Sequence, residues 1–256
     1  MSAPIIAVLE LSKTFLLNRQ PLHALAGVSL DVYPHEFVSI VGRSGCGKST
    51  LVNIIGGLVP PSGGEVLVQG RRVAEPPEAI GLVFQSPVLL PWRKVLDNVL
   101  LPVQILGLPR DAALRTAREL LALTGLQGFE NAYPHSLSGG MQQRVAICRA
   151  LVFDPPILIM DEPFGALDAM TREEMGAELL RIWQERRKTV LFVTHSISEA
   201  VFLSDRVVVM TPRPGRIAEV IPIALPRPRD HRVRAHPRFA EYELRVRELI
   251  FEQPHA

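Results

Sequence analysis

A glycine-rich loop between a strand and a helix constrains the fold of this chain more than any other feature of its sequence. Residues 42–49 read Gly-Arg-Ser-Gly-Cys-Gly-Lys-Ser and fit the pattern G-x-x-x-x-G-K-[ST]. An apolar run precedes this loop and a helical run follows from Ser49, which is the context that the pattern requires. Backbone N–H groups and the positive end of the helix then favour phosphate oxygens. The sequence therefore predicts a phosphate-binding loop on an α/β scaffold.

The residues of this phosphate loop have distinct expected roles. Lys48 would reach the β- and γ-phosphates of a nucleotide, and the hydroxyl of Ser49 would bind Mg²⁺. The neighbouring residues would surround the phosphates, and they are Gly42, Arg43, Ser44, Gly45, Cys46, Gly47 and Thr50. We interpret Cys46 as a small residue tolerated near phosphates rather than a metal or redox group, because no second cysteine is close in the sequence. A plain glycine turn with a solvated lysine is the alternative that the flanking strand and helix disfavour.

Short apolar runs between helical patterns predict a mostly parallel sheet covered by helices, because strands buried on both faces show no alternation. These runs are residues 36–41, 82–84, 157–160, 190–194 and 206–210. Alternating segments near the N-terminus predict an antiparallel β-lobe instead. They are residues 5–11, 23–32 and 65–72. The expected fold class is thus α/β, with a P-loop core, an N-terminal antiparallel lobe and a helical subdomain.

The rest of the chain divides into a helical insert and a C-terminal tail. Helical spacing predicts an insert at about residues 93–153 of a domain that covers residues 1–226. Another helix is predicted over residues 171–188, with Thr171 and Glu174 at the spacing of a capping box. Residues 227–256 form a tail rich in arginine and proline that ends in an amphipathic helix. Whether this tail regulates, contacts lipid headgroups or braces the fold stays open.

Composition excludes several classes of protein. With 47% apolar and 21% charged residues, the chain has a globular balance. Its net charge of +2 argues against a strongly basic nucleic-acid binder, and two cysteines exclude a disulfide framework. Its longest uncharged stretch, residues 49–64, contains glycines and prolines and is shorter than the roughly 20 apolar residues that span a bilayer. No basic region precedes the first apolar run, so we expect a soluble cytoplasmic protein without a secretory signal.

Polar side chains follow the predicted parallel strands at the points where these strands end. They are Gln85, Asp161, Glu162 and His195. Because ligands of open α/β sheets bind outside the carboxyl ends of the strands, we expect these groups to converge on one nucleotide. Asp161 is the natural partner of Mg²⁺, Glu162 a candidate general base and Gln85 a contact for Mg²⁺ or water. His195 would contact the γ-phosphate. Considered singly, such residues are more often ordinary polar groups at sheet ends.

A second phosphate-type site follows in the segment Leu-Ser-Gly-Gly-Met-Gln-Gln-Arg at residues 137–144. Its serine and two glycines stand at the predicted start of a helix, where anions are favoured. A chain with one phosphate loop does not need another for the same nucleotide. The simplest explanation is that two chains face each other and that each completes the site of its partner.

These motifs, in this order, resemble the ATP-binding subunit of ATP-binding cassette (ABC) transporters over roughly residues 5–215. The phosphate loop corresponds to the Walker A motif of that family. The other corresponding residues are Gln85 of the Q-loop, Ser138, Gly139, Gly140 and Gln142 of the signature, Asp161 of Walker B, the catalytic carboxylate Glu162, Asp168 of the D-loop and the switch histidine His195. Phe15 resembles the aromatic residue that stacks on adenine, although a phenylalanine there is more often part of a core. Met141 and Gly165 depart from the commonest family pattern, and neither change removes a catalytic group.

The resemblance implies a head-to-tail homodimer that binds ATP and Mg²⁺ at its interface and hydrolyses ATP. It also implies integral membrane permease subunits as partners, a solute-binding protein as an indirect partner, and a peripheral location on the cytoplasmic face of the bacterial inner membrane. Residues 85–92 and 210–217 resemble the branch that imports nitrate, sulfonates or taurine.

Three questions stay open at this stage. The apolar cluster Val88, Leu89, Leu90 and Trp92 is either an exposed surface for a permease helix or part of the helical core. A cytosolic ABC protein acting on nucleic acid or ribosomes is the alternative function, and only the arginine-rich stretch 227–238 favours it. A nucleotide-gated module without turnover is a further alternative, against which the intact Glu162 and His195 argue.

Overall fold

The computed structural model describes residues 3–251 and contains ten strands. They are β1 (Ile6–Leu17), β2 (Gln20–Val32), β3 (Phe37–Val41), β4 (Gly63–Val68), β5 (Arg71–Arg72), β6 (Ile80–Val83), β7 (Ile157–Asp161), β8 (Thr189–Val193), β9 (Arg206–Met210) and β10 (Ile217–Pro222). The described α-helices are α1 (Lys48–Ile55), α2 (Val95–Val99), α3 (Leu101–Ile105), α4 (Arg110–Leu123), α5 (Gly139–Leu151), α6 (Ala169–Arg186), α7 (Ile197–Leu203) and α8 (Pro237–Phe251). Short 3₁₀ turns occur at Pro134–Ser136 and His231–Ala235.

The chain forms two compact units. The first unit combines the chain up to Pro77 with the chain from Leu180 onward, and the second unit is Glu78–Leu179. Helix α6 contributes to both units because it spans the boundary at Leu180.

The first unit contains a parallel sheet in which β3 lies between β8 and β9, while β10 runs antiparallel along β9. Val38 of β3 stands opposite Leu191 on one side and Arg206 on the other. Every residue of β3 and β8 is buried, which explains why apolar residues predominate in both strands without alternating with charged ones. A separate antiparallel sheet has the order β2-β1-β4-β5. Both the parallel core and the antiparallel lobe confirm the predicted fold class.

The second unit contains two parallel strands and most of the helical insert. Strand β6 pairs with β7, with Ile80 opposite Ile157. Helix α4 buries one apolar stripe, which consists of Ala113, Ala117, Leu120 and Leu121. This spacing of three and four residues is the amphipathic pattern that predicted the helix. Among residues 3–251, no helix has the length and apolar character needed to span a membrane.

Two local features differ from the sequence-based expectations. The capping box predicted at Thr171 is wrong, because α6 begins two residues earlier and Asp168 caps it. One carboxylate oxygen of Asp168 accepts from the backbone N–H of Thr171 at 3.0 Å and the other from the Thr171 hydroxyl at 2.6 Å. Strand β10 was not predicted, since its sequence lies within the proline- and arginine-rich segment. It forms because β9 offers it an open edge to pair with.

Candidate nucleotide site

The phosphate loop joins β3 to α1 in the first unit, and its backbone surrounds the side chain of Lys48. Lys48 is 6% exposed, and its Nζ donates to the carbonyl oxygens of Gly42 at 2.9 Å and Arg43 at 3.1 Å. Gly47 has φ 103°, and a Cβ there would stand 2.7 Å from Cδ2 of Leu25. Only glycine fits at this position, because an L side chain would be strained and would collide with β2.

Cys46 lies inside this loop with its side chain buried. Burial raises the pKa of the Cys46 thiol, and the nearby Lys48 ammonium opposes that rise. The Nζ of Lys48 stands 3.9 Å from Sγ of Cys46. Because a thiol with a raised pKa is a poor nucleophile and metal ligand at neutral pH, Cys46 is best explained as a packing residue of the loop.

A second loop, residues 211–216 between β9 and β10, packs directly on the phosphate loop. A Cβ on Gly215 would collide with the carbonyl oxygen of Cys46, so the two backbones touch. Gly215 also donates to Ala24 at 2.9 Å and accepts from Ala26 at 3.1 Å. Sequence reasoning missed this support, although the glycine after two prolines was a signal of a tight turn. The phosphate loop is therefore held from both β2 and the 211–216 loop.

Two carboxylates stand at the C-terminal end of β7, in the second unit. Asp161 is the last residue of β7 and is 8% exposed, whereas Glu162 is half-buried. Glu162 has φ 46°, in the left-handed region that disfavours L residues other than asparagine and aspartate. The Nε2 of Gln85 donates to Oε2 of Glu162 at 3.3 Å. The structure thus brings Gln85 and Glu162 together, as the ends of two paired strands predicted.

The signature segment forms the exposed N-terminus of α5. Ser138 is the N-cap, and its hydroxyl accepts from the backbone N–H of Met141 at 3.3 Å. Ser138 and Gly139 are exposed and Gly140 is half-buried. The amide of Gln142 donates back to the carbonyl of Pro134 at 3.0 Å, which orders the turn before the helix. The result is an open helix N-terminus, the kind of place where an anion is favoured.

Asp168 is exposed at the start of α6 in the same unit as the signature. The hydrogen bonds from the hydroxyl and the backbone of Thr171 lower the pKa of the Asp168 carboxyl. This carboxylate stays charged at neutral pH and faces the solvent.

His195 and Phe15 belong to the first unit. His195 is exposed between β8 and α7, where Ser196 caps the helix by accepting from the N–H of Glu199. Phe15 lies on β1 with 37% of its surface exposed. The Nζ of Lys13 lies 4.9 Å from the centroid of this ring. Phe15 is therefore no core residue.

The apolar cluster after Gln85 lies at the surface of the second unit. Val88 is 59% and Trp92 is 72% exposed, while Leu89 and Leu90 are half-buried. Together with Ile105, which is 74% exposed, Val88 and Leu90 line an open groove of about 380 Å³. Val88 and Trp92 are therefore surface residues and not part of the core of the helical insert.

Two side chains that the sequence did not single out hold this cluster in place. The guanidinium of Arg149 donates to the carbonyls of Val88 at 2.7 Å and Pro87 at 2.8 Å, and burial lowers its pKa. Asn98 is fully buried, accepts from the N–H of Leu90 and donates to the carbonyls of Leu90, Arg93 and Lys94. No sequence pattern identifies Arg149 or Asn98 as supports, because their partners are backbone groups, and those of Arg149 lie about 60 residues away along the chain.

The chemistry of the candidate groups fits a magnesium nucleotide. The donors expected for Mg²⁺ are the hydroxyl of Ser49, the carboxylate of Asp161 and the amide oxygen of Gln85. Oxygen donors of this kind suit Mg²⁺, which prefers one or two carboxylates together with phosphate oxygens. The closed loop around Lys48 supplies the complementary cradle for the phosphates.

Comparisons with known proteins agree with this chemistry. The family model described as ABC transporter matches residues 25–165. An ABC transporter ATP-binding protein of Methanocaldococcus jannaschii is 49% identical over 97% of this chain and 92% of its own length. The taurine import ATP-binding protein TauB of Rhizobium johnstonii is 47% identical over 90% of this chain and 89% of its own. The nitrate import ATP-binding protein NrtD of Synechococcus elongatus is 44% identical over 94% of this chain and 89% of its own length.

A solved structure shares the fold. It is the dimeric, post-hydrolysis state of the ATP-binding cassette MJ0796 bound to ADP and Pi. It superimposes with a TM-score of 0.78 at 35% identity, over 85% of this chain and 98% of that one. The residues that the family model matches include the phosphate loop, the signature and both carboxylates. This chain therefore belongs to the ABC transporter family and is an ATP-binding cassette that hydrolyses ATP.

Proposed function

We propose that this cassette powers a membrane importer for a small solute such as nitrate, a sulfonate or taurine. The observation that carries the proposal is the apolar groove at Val88 and Leu90, whose backbone is held by hydrogen bonds from the buried Asn98 and the half-buried Arg149. A rigid apolar surface suits a partner helix, because little conformational entropy is lost on docking. The likeness to import proteins named for taurine and nitrate supports this class of cargo.

We further propose a division of roles within the nucleotide site. In an in-line attack, a water oxygen bonds to the γ-phosphorus while the bond to the β–γ bridging oxygen breaks. Glu162 accepts the proton of that water, and Lys48 and His195 stabilise the negative charge on the phosphoryl oxygens. Ser49, Asp161 and Gln85 would hold Mg²⁺, which would further neutralise the charge of the phosphates.

The active form that we propose is a head-to-tail homodimer. The signature residues Ser138 and Gly139 are exposed and belong to a different unit from the phosphate loop. A phosphate-type site of this kind, in a chain that already has a phosphate loop, favours the nucleotide of a second copy. ATP that contacts both copies only in the closed dimer favours closure by its differential affinity, and loss of the γ-phosphate lets the copies part. The permease would couple to this cycle through the groove.

Co-purification with the permease tests the importer role. The chain is expressed together with candidate integral membrane permease subunits, and Trp92→Ala and Val88→Asp are compared with the unchanged sequence. We expect both substitutions to reduce the cassette recovered with the permease, because they remove exposed apolar contact area and add a charge to it. Leu16→Ala is the matched control, since Leu16 is 80% exposed on the β-lobe and far from the groove in the sequence.

Equal recovery of all variants would contradict the docking surface, and absence of any complex with the permease would contradict the importer role itself. Thermal unfolding of each variant excludes misfolding as the cause. The solute-binding protein that stimulates the ATPase of the complex then identifies the cargo.

The structure does not favour the alternative role on nucleic acid. Arg227 and Arg229, in the stretch that suggested it, donate to groups of the protein itself: Arg227 pairs with Asp205 at 2.8 Å and Arg229 is 6% exposed. Guanidinium groups that are already bonded internally are not available to phosphates of a nucleic acid. A binding assay with DNA and RNA at several salt concentrations checks this conclusion.

A further inference from the structure

A buried arginine from the C-terminal tail caps the helix that follows His195. Arg229 is 6% exposed, and its Nη1 donates to the carbonyls of Val201, Phe202 and Ser204 at 3.2, 3.0 and 2.8 Å. Its Nη2 donates to the carbonyls of Ile223 and Leu225 at 3.2 and 3.4 Å. One guanidinium thus joins the end of α7 to the chain that leaves β10.

These bonds satisfy groups that the helix cannot satisfy itself. The last carbonyls of any helix lack partners within it, and those at the end of α7 lie in a buried region. Burial lowers the pKa of Arg229 to about 10, so the guanidinium is still charged at neutral pH and its hydrogen bonds are charge-assisted. Charged groups are buried only where such partners compensate the loss of water.

Helix α7 needs external support because it is short. It has seven residues, and helices of that length are unstable alone in water. Its N-terminal end is anchored next to His195: the N–H of Ser196 donates to Oγ1 of Thr194 at 3.0 Å, and that hydroxyl donates to Glu199 at 2.6 Å. A shift of α7 would therefore be transmitted to the His195–Ser196 turn.

Neighbouring tail residues reinforce the same helix. Nη1 of Arg234 donates to the hydroxyl of Ser198 in the first turn of α7 at 2.8 Å, and its guanidinium lies 5.2 Å from the ring centroid of Phe202. Arg227 donates to the carbonyl of Leu203 at 2.9 Å and pairs with Asp205. The tail therefore contacts α7 at its start and at its end.

We propose that Arg229 is a positioning residue for His195, and that Arg227, Arg229 and Arg234 of the tail form a brace that fixes the orientation of this histidine towards the γ-phosphate. The inference rests on the proposed role of His195 in the nucleotide site. The brace acts within the first unit, to which the phosphate loop, α7 and the tail all belong. Through it, the C-terminal segment would affect the rate of hydrolysis without touching the nucleotide.

The test separates hydrolysis from binding in the full-length protein. Arg229→Lys retains a charge but cannot reach five carbonyls with one planar fork. We expect kcat to fall between about tenfold and 10²-fold, as for misplaced catalytic groups, while KM for ATP changes less than about twofold. Arg232→Lys is the matched control, because Arg232 is exposed in the same segment and bonds Asp230 only through its backbone N–H. It should leave both constants unchanged.

A double-mutant cycle with His195→Ala distinguishes positioning from general weakening. If Arg229 acts through His195, Arg229→Lys has no further effect on kcat once the imidazole is gone. Additive losses in kcat, or a normal kcat for Arg229→Lys alone, would overturn the brace. A normal kcat for His195→Ala alone would instead overturn the proposed role of His195.

A second variant tests the brace if Arg229→Lys does not fold. If Arg229→Lys lowers the melting temperature so far that the protein is unfolded at the assay temperature, Arg234→Gln replaces it, since this change removes the bond to Ser198 and the contact with the Phe202 ring but leaves Arg229 in place. We then expect a smaller loss of kcat, about two- to threefold, again with unchanged KM. Amide hydrogen exchange in α7 should accelerate in either variant, and no change in exchange or in kcat would contradict the brace.

Discussion

The phosphate loop and the signature segment are both helix N-termini suited to phosphate, yet they differ in how complete they are within one chain. In the phosphate loop, Lys48 is buried and bonded to two carbonyls. Gly47 lies so close to Leu25 that no side chain fits between them. At the signature, Ser138 and Gly139 are exposed and bonded only within their own turn. The first site is preorganised by its own chain, whereas the second presents an open surface.

This difference indicates what each region contributes. We expect a preorganised loop to bind nucleotide with little loss of conformational entropy, so that the monomer alone has affinity for ATP. An open helix N-terminus contributes only when an anion is brought to it from elsewhere. If the proposed dimer is correct, substitutions in the two regions should separate binding by the monomer from turnover by the dimer.

The largest effect is expected for Glu162, which belongs to neither the phosphate loop nor the signature segment. Glu162→Gln keeps the shape of the side chain but removes the base, so kcat should fall about 10²- to 10⁴-fold. Because both phosphate-type sites are intact, ATP should still join two copies. Gel filtration with ATP and Mg²⁺ measures this dimer, and its loss in Glu162→Gln would count against the proposed sandwich.

Lys48→Ala tests the phosphate loop. The substitution removes the ammonium that the loop holds, and we expect the affinity of the monomer for ATP to fall at least about 30-fold, as for other desolvated charge pairs. Isothermal titration at a protein concentration that keeps the chain monomeric provides the measurement. An unchanged Kd would show that the loop does not hold the phosphates.

Ser138→Asp tests the signature segment in the same titration. The monomer should bind ATP within about twofold of the unchanged protein, because the signature does not contribute to its own nucleotide site. Turnover should fall about 10²-fold, since a carboxylate repels the phosphates of the facing copy. Weaker ATP binding by the Ser138→Asp monomer would contradict the division between the two regions.

Thiol reactivity compares the two regions directly. A cysteine introduced by Ser138→Cys is exposed, whereas burial raises the pKa of Cys46 and raises that of Cys148 to about 12. We expect a maleimide to modify the introduced cysteine at least about tenfold faster than either native one at pH 7.5. Mass spectrometry of the peptides identifies each site, and rapid modification of Cys46 would show that the loop opens without nucleotide.

The smallest effect is expected at the cap of α6. Asp168→Ala removes the acceptor for Thr171, and the melting temperature at pH 7 should fall by about 2–4 °C. The hydrogen bonds lower the pKa of this carboxyl below its ordinary value of 3.8. The stabilisation is therefore present above pH 3.8 and is lost as the pH falls through the lower native value. Calorimetry of both proteins between pH 7 and pH 3 checks the sign.

Sequence patterns were sufficient wherever structure depends on neighbours along the chain. The buried strand β9 was predicted with the bounds that it has, and the phosphate loop stands between β3 and α1 as its motif requires. The start of α6 was predicted wrongly because Thr171 and Asp168 both have side chains that cap helices. Only the fold of the preceding loop selects between them.

Tertiary structure alone decided which side chains support the nucleotide site and the groove. The buried Arg229 and the buried Asn98 stabilise local geometry by bonding backbone carbonyls, and a carbonyl carries no residue identity that a sequence pattern could show. The same holds for the contact of Gly215 with Cys46. The sequence by itself determined the fold class, the order of motifs and the chemistry of the nucleotide site. The three-dimensional packing decided that the arginine-rich tail is bonded to the helix after His195, because burial and partner geometry exist only in the folded chain.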